Sequence, residues 1–223
     1  MRKYVKHLAA RILVPLTRWY LRKQRSYTYH KIEVKVAAGV FHPGFFYSTK
    51  FILEHLEQLP LSGKTLIELG CGSGLISISA ARAGAHVTSS DLSPAAIENT
   101  KYNAAHNNIK LHVVHSDLFE NIKGKFDYVI INPPYYAKDA LNEEQLAWHC
   151  GKNFEYFQKL FLQLRDHIHE ASSVIMVLTK GCDLESIFSI ASKAGFTFQL
   201  LAEKNVLFDG KDYLYRIKAN SFG

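Results

Sequence analysis

Residues 65–74 read Thr-Leu-Ile-Glu-Leu-Gly-Cys-Gly-Ser-Gly, an order that few folds accommodate. An apolar run carries one acid, Glu68, and closes in glycines at alternate positions, Gly70, Gly72 and Gly74. A stretch of small and apolar residues follows over 75–83. The pattern predicts a strand, a tight turn and a helix. Glycine lets the backbone turn sharply and come close to a ligand, because no Cβ intervenes. The helix start then offers unpaired N–H groups and a partial positive charge. Such a loop suits a nucleotide-like ligand, but by itself it does not say which.

The alternation continues along the chain. Apolar periodicity predicts strands over 64–69, 86–90, 110–115, 126–131 and 173–179. Helices are expected over 75–83, 94–107, 153–169 and 183–194, the second with Pro94 in its first turn. Residues 196–203 and 213–218 read as a closing antiparallel pair, with Asp209-Gly210 in the turn. This order predicts an α/β fold with a doubly wound, seven-stranded, mostly parallel sheet.

Upstream, alternation within 27–40 predicts one or two short strands. An aromatic loop follows, with a turn at Pro43-Gly44, and Ser48 is the expected N-cap of a helix to Leu59. Residues 1–26 read as a basic amphipathic helical segment that Pro15 divides, and 27–223 as the domain proper. The net charge of +7 is concentrated at this start: residues 1–25 hold eight Lys/Arg and no acid, leaving 19 basic against 20 acidic residues elsewhere. A neutral domain argues against general nucleic-acid binding by the domain itself. The basic segment is read as packing on the domain edge, with RNA, partner or membrane-surface contact as sharper alternatives.

No apolar run approaches the ~18 residues of a membrane span. Three scattered cysteines, Cys71, Cys150 and Cys182, with no CxxC pair, argue against a disulfide framework or a zinc site and suit a reducing, cytoplasmic setting. A basic, acid-poor start also fits a mitochondrial presequence. His112 and His115, and His167 and His169, are not spaced to share a face, so no metal site is expected.

Ligands of doubly wound sheets bind outside the carboxyl ends of the strands. Those ends offer Glu68 with the glycine loop, Asp91-Leu92, Asp117-Leu118, and Asn132-Pro133-Pro134-Tyr135. Asp91 stands 21 residues after Gly70, a distance at which an acid reaches a ribose diol, although a helix N-cap is the plain alternative. The spacing GxGxG, rather than GxGxxG, favours a nucleoside without a pyrophosphate. Asp117 could accept an adenine amino group while Leu118 covers the ring.

Two prolines after Val129-Ile130-Ile131 remove two N–H donors and stiffen the backbone. The carbonyls of Asn132 and Pro133, and the Asn132 amide oxygen, are then acceptors for a planar –NH₂ group, with the Tyr135 ring as a flat wall. Pulling its hydrogens out of plane would expose the nitrogen lone pair to an electrophile without a strong base. Phe45, Phe46 and Tyr47 are read equally as pocket lining or as packing, and Phe154, Phe157 and Phe161 as a helix core face.

Taken together, Glu68 to Gly74, Asp91, Asp117 and the Asn-Pro-Pro-Tyr tetrapeptide resemble the class I S-adenosylmethionine-dependent methyltransferases, which have a Rossmann-like fold. The resemblance covers residues 41–218. Within that superfamily the tetrapeptide resembles enzymes that methylate adenine N6, guanine N2 or glutamine N5. Residues 147–153, Ala-Trp-His-Cys-Gly-Lys-Asn, resemble the corresponding segment of short, single-domain release-factor glutamine methyltransferases. The resemblance implies S-adenosyl-L-methionine as cofactor, bound by Glu68, Gly70, Cys71, Gly72, Gly74, Asp91, Leu92, Asp117, Leu118 and Asn132. Asn132, Pro133, Pro134 and Tyr135 would hold the target. The substrate implied is macromolecular, a protein glutamine, with RNA or DNA adenine or guanine as the alternative. A non-catalytic cofactor-binding protein is a third reading, opposed by the intact Asp91 and Asn132.

Overall fold

The computed structural model describes residues 23–141, 145, 147–206 and 210–220. The basic segment up to residue 22 therefore lies outside the described residues. The first strand, β1 (Arg25–Tyr29), begins two residues before Tyr27, where the alternation in the sequence starts. It pairs antiparallel with β2 (Ile32–Val36) as a separate two-stranded sheet. The chain continues through α1 (Tyr47–Leu56), β3 (Thr65–Leu69), α2 (Leu75–Arg82), β4 (His86–Asp91), α3 (Pro94–His106), β5 (His112–His115) and β6 (Tyr128–Ile131). It closes with α4 (Glu155–Leu164), β7 (Ser173–Thr179), α5 (Leu184–Lys193), β8 (Phe196–Val206) and β9 (Gly210–Ala219).

The main sheet has seven strands in the order β5-β4-β3-β6-β7-β9-β8. The first five run parallel, and β9 joins antiparallel to both β7 and β8. Central strands covered on both faces carry near-continuous apolar runs, as in Tyr128–Ile131, every residue of which is buried. Alternate residues serve opposite layers. Ile67, Leu69, Val129, Ile131 and Met176 pack with Phe157, Phe161 and Ile187 of α4 and α5. Leu66, Ile130, Ile175 and Val177 pack with Ile52, Ile78 and the hairpin's Val34 on the other face.

Two helix starts differ from expectation. Ser48 lies inside α1 and is buried, while an extended Phe46 occupies the cap position without a side-chain bond, so packing of the aromatic run sets this terminus. Phe154 has a left-handed φ of 62°, and its N–H closes a turn on the Gly151 carbonyl, so α4 begins at Glu155. That helix ends in a 3₁₀ turn (Arg165–His167), whose His167 carbonyl accepts the Phe126 N–H. Strand β6 accordingly starts at Tyr128, two residues later than expected. Asp209 of the expected turn lies outside the described residues, but Val206 pairs with Gly210 across it.

The small sheet docks by a device absent from the sequence reading. Asn99 and Asn103 of α3 and Asn107 at its C-cap stand four apart, and their amides bond alternate residues of the hairpin edge. Asn99 accepts from Ala37 N–H (2.9 Å) and donates to the Lys35 carbonyl (2.7 Å). Asn103 accepts from Lys35 N–H (2.9 Å) and donates to the Lys35 and Ser73 carbonyls (2.8 and 2.9 Å). Asn107 brackets Glu33 in the same way (3.3 and 2.7 Å). Four helical residues rise about 6 Å and two strand residues about 6.7 Å, so the three amides imitate a neighbouring strand. Asn103 is fully buried. Asn103→Ala would strand several backbone groups, and we expect a loss of about 2–3 kcal/mol in urea unfolding, against under about 1 kcal/mol for the peripheral Asn107→Ala.

Candidate active site

Leu69 pairs with both Ser90 and Ile131, and Asp91 pairs with His115. Gly70, Asp91, Ser116 and Asn132 therefore leave the sheet at one level. The strand order reverses between β3 and β6, the switch point at which such sheets open a crevice. A cavity of about 590 Å³ occupies it, a size suited to a small-molecule ligand.

The glycine loop forms one wall. Gly70 and Cys71 N–H groups both reach the Ser90 carbonyl (2.8 and 2.9 Å). Gly70 has φ 77° with open space where a Cβ would stand, so its backbone angle, not crowding, requires glycine. Gly74 also has φ 77°, but a Cβ there would lie 2.8 Å from Thr100 Cγ2. Gly74 caps α2 and, unlike the other expected residues, does not line the cavity. Thr100 in turn donates to the Gly72 carbonyl (3.0 Å) and lies 3.3 Å from Cys71 Sγ. Burial, with Asp91 and Glu68 nearby, pushes the Cys71 thiol well up, so it is a small packing residue and not a thiolate.

Glu68 acts from beneath the loop. Its carboxylate accepts the Ser77 N–H (2.8 Å) and the Ser77 hydroxyl, while Ser89 Oγ donates to Ser77 Oγ (2.6 Å). It thus satisfies a first-turn N–H of α2 that Gly74, without a side chain, cannot cap. Burial pushes its pKa up to about 8, opposed by the Ser77 bonds and assisted by Asp91.

Asp91 is held rigidly at the rim. One oxygen accepts Gly72 N–H and the other Ser93 N–H, both at 2.9 Å. Each oxygen keeps a further lone pair, the acceptor pair a vicinal diol needs. Burial raises its pKa, and the backbone N–H groups counter this. The N-cap of α3 is Ser93, not Asp91, which frees Asp91 from the structural alternative. Leu92 is exposed, and its carbonyl is held by His115 Nε2 at 2.8 Å.

Asp117 is gripped by Lys159 (2.5 Å), which also holds Glu120. Leu118, buried in the cavity wall, has a left-handed φ of 53°, costly for a leucine. The Phe119 N–H bond to Gln163 Oε1 (3.1 Å) helps to hold that conformation. Lys159 and Tyr156 of α4 both line the cavity, and sequence reading missed them, since 42 residues separate Asp117 from Lys159. Burial, with Asp91 and Asp117 nearby, raises the Tyr156 pKa, so its phenol stays protonated.

At the far wall lie Asn132, Pro133, Pro134 and Tyr135. The Tyr135 hydroxyl donates to Asn132 Oδ1 (2.5 Å), which fixes the amide orientation, and the ring is buried in the core. The next two backbone donors, Tyr135 and Tyr136 N–H, both reach the Trp148 carbonyl (3.0 and 2.8 Å). Val40, Phe41 and Pro43 close the cavity from the hairpin side. Of the aromatic run, Phe45, Phe46 and Tyr47 do not line it: Phe45 is exposed, Phe46 packs on Phe41 and Trp148, and Tyr47 bonds Glu54. His42 is buried against the Tyr27 and Phe45 rings, and its Nδ1 accepts the Gly44 N–H, which locks the turn.

Residues 31–190 match the model of the methyltransferase small domain. A Methanocaldococcus jannaschii protein, whose name proposes protein N5-glutamine methylation, is 29% identical over 185 residues, covering 80% of this chain and 94% of that one. Ribosomal methyltransferases with 34–36% identity are spanned over only 32–40% of their own length. Among solved structures, the T. thermophilus 16S rRNA N2 G1207 methyltransferase, in complex with AdoMet and guanosine, aligns with a TM-score of 0.62 at 21% identity, over 88% of this chain and 50% of that one. The E. cuniculi Mtq2–Trm112 complex, described as responsible for methylating the termination factor eRF1, aligns at 0.61 and 19% identity over 81% and 99%.

The Glu68 environment has a measurable consequence. The folded state keeps the Glu68 proton to about pH 8, whereas the unfolded chain releases it near its ordinary value of 4.5. Between these values the native state binds more protons, so stability falls as pH rises, and the raised Asp91 pKa adds in the same sense. In Glu68→Gln, denaturation midpoints across roughly pH 5 to 9 should show a shallower decline than in the unmodified chain.

Proposed function

The chain belongs to the methyltransferase small domain family, and from that premise we propose that its methyl acceptor is the side-chain amide of a protein glutamine. It is an S-adenosyl-L-methionine-dependent methyltransferase. The cavity fits that cofactor: two donor-fixed oxygens on Asp91 suit a ribose diol, Gly70 leaves open space, and Asp117 and Leu118, which line the same cavity, suit an adenine amino group and ring. When bound, the cofactor supplies a methyl carbon made electrophilic by its sulfonium.

The chain's own contribution is to position a poor nucleophile. Asn132 Oδ1 and the Asn132 and Pro133 carbonyls are the acceptors for a planar –NH₂ group. Tyr135, by donating to Oδ1, fixes the orientation of that amide and leaves its oxygen a second lone pair for the target. With the hydrogens drawn to these acceptors, the nitrogen lone pair faces the cavity, and the strongly acidic proton of the methylated nitrogen passes to water, so no strong base is needed. The observation that carries this reading is the register that sets Asn132 beside Gly70, so that acceptor and cofactor walls enclose one cavity.

Glutamine is favoured over a nucleobase by the M. jannaschii relative, which this chain spans nearly end to end. The neutral domain and the segment after Pro134 agree with it. A second reading, RNA adenine or guanine methylation, draws on the same tetrapeptide, on the RNA-directed structural neighbour and on the eight basic residues of 1–25. No helix among the described residues is long and apolar enough to cross a membrane, and the basic segment would serve partner or RNA contact.

Radiolabelled methyl transfer into fractionated cell protein and RNA separates the two readings, and label in protein glutamine is the expected result. Asn132→Ala should lower turnover by about 10²–10³-fold with cofactor affinity nearly unchanged, as for loss of one preorganised group. Asp91→Ala should weaken S-adenosyl-L-methionine binding by roughly 10–100-fold in calorimetry, the scale of lost charge-assisted hydrogen bonds.

A further inference from the structure

Trp148 stands where the two walls of the cavity meet, although its own ring belongs to neither. The ring packs on Phe41 (centroids 5.2 Å apart) and on Phe46 (4.7 Å), and these two rings pack on each other (4.9 Å). Phe41 lines the cavity from the hairpin side. Five residues before it ends strand β2, which Asn99, Asn103 and Asn107 anchor to the helix that also grips the glycine loop. The backbone of Trp148 turns the other way. Its carbonyl accepts both N–H groups that follow the prolines, those of Tyr135 and Tyr136, and Cys150 N–H returns a bond to the Tyr136 carbonyl (2.9 Å). One residue thus joins the cofactor-side roof, through its ring, to the acceptor motif, through its carbonyl.

We propose that Trp148 is a positioning residue that couples occupancy of the cofactor cavity to the order of the Asn132–Tyr135 motif. A ligand seated against Phe41 restricts that ring. Through the three-ring contact this restricts the indole, and with it the carbonyl on which the Tyr135 and Tyr136 amides depend. Cofactor binding therefore prepares the acceptor site, and the acceptor binds second. The proposal rests on the cofactor reading of the cavity given above.

The test uses the full chain with Trp19→Phe, which leaves Trp148 as the single tryptophan of the two present. S-adenosyl-L-homocysteine is the probe, with affinity measured by calorimetry. Its binding should change Trp148 emission with the same saturation. It should also slow hydrogen exchange of the peptide holding Tyr135 and Tyr136 by about fivefold or more. In Phe46→Leu, which loosens the ring contact from outside the cavity, the slowing should disappear while affinity stays within about fivefold. Trp148→Leu should do the same, and Trp148→Phe should restore the slowing. If Trp148→Leu does not fold, Phe46→Leu carries the test. Binding without any change in emission or exchange overturns the coupling alone. So does an exchange rate raised equally in the free and bound variants with the slowing intact, which marks a purely structural residue. Absence of binding to the unmodified chain overturns the cofactor reading and this proposal with it.

Discussion

Asn103 is the contact on which the arrangement of the site depends. Its buried amide holds the Lys35 backbone of the hairpin with one end and the Ser73 carbonyl of the glycine loop with the other. A hairpin of five-residue strands cannot stand alone in water, and here its free edge is satisfied by a helix instead of a third strand. With β2 fixed, Val40, Phe41 and Pro43 fall over the cavity mouth. With Ser73 and Gly72 fixed from α3, the glycine loop keeps its left-handed turns. Neither wall would have a defined position without the other.

The electrostatic design follows from crowding carboxylates at the ends of parallel strands. Glu68 and Asp91 are both withdrawn from water, and the nearby Asp91 adds to the cost of ionising Glu68. The structure offsets this with backbone donors, Ser77 for Glu68 and Gly72 with Ser93 for Asp91. The same bonds cap α2 and stiffen the loop, so the buried carboxyl groups that cost stability also shape the site. At Asp117 the solution differs. Asp117 and Glu120 share the Lys159 ammonium, delivered from a helix far along the chain.

The site was legible in sequence wherever chemistry depends on local order. Glycine spacing, an acid at a strand end and a double proline are all short-range patterns, and the register of β3, β4 and β6 brought them together as their positions implied. Gly74, which the resemblance implies at the cofactor, stands outside the cavity lining, and its left-handed φ and its closeness to Thr100 require glycine there. Ser48 looked like a cap, but aromatic packing moved the helix start past it. Asn99, Asn103 and Asn107 carried a visible four-residue spacing. That spacing does not reveal the docking, because exposed asparagines on helices are common and nothing local marks a strand as their partner.

By itself, then, the sequence determined the order of strands and helices, the two apolar faces and the motifs at the strand ends, because each depends on residues within a few positions of one another. Tertiary structure alone decided that Lys159 would hold Asp117, that Phe41 rather than Phe45 would roof the cavity, and that the Trp148 carbonyl would take the amides after the prolines. Those choices join residues tens of positions apart. They are set by which buried polar groups and rings the packed sheet leaves to be satisfied, a condition that exists only once the chain has folded.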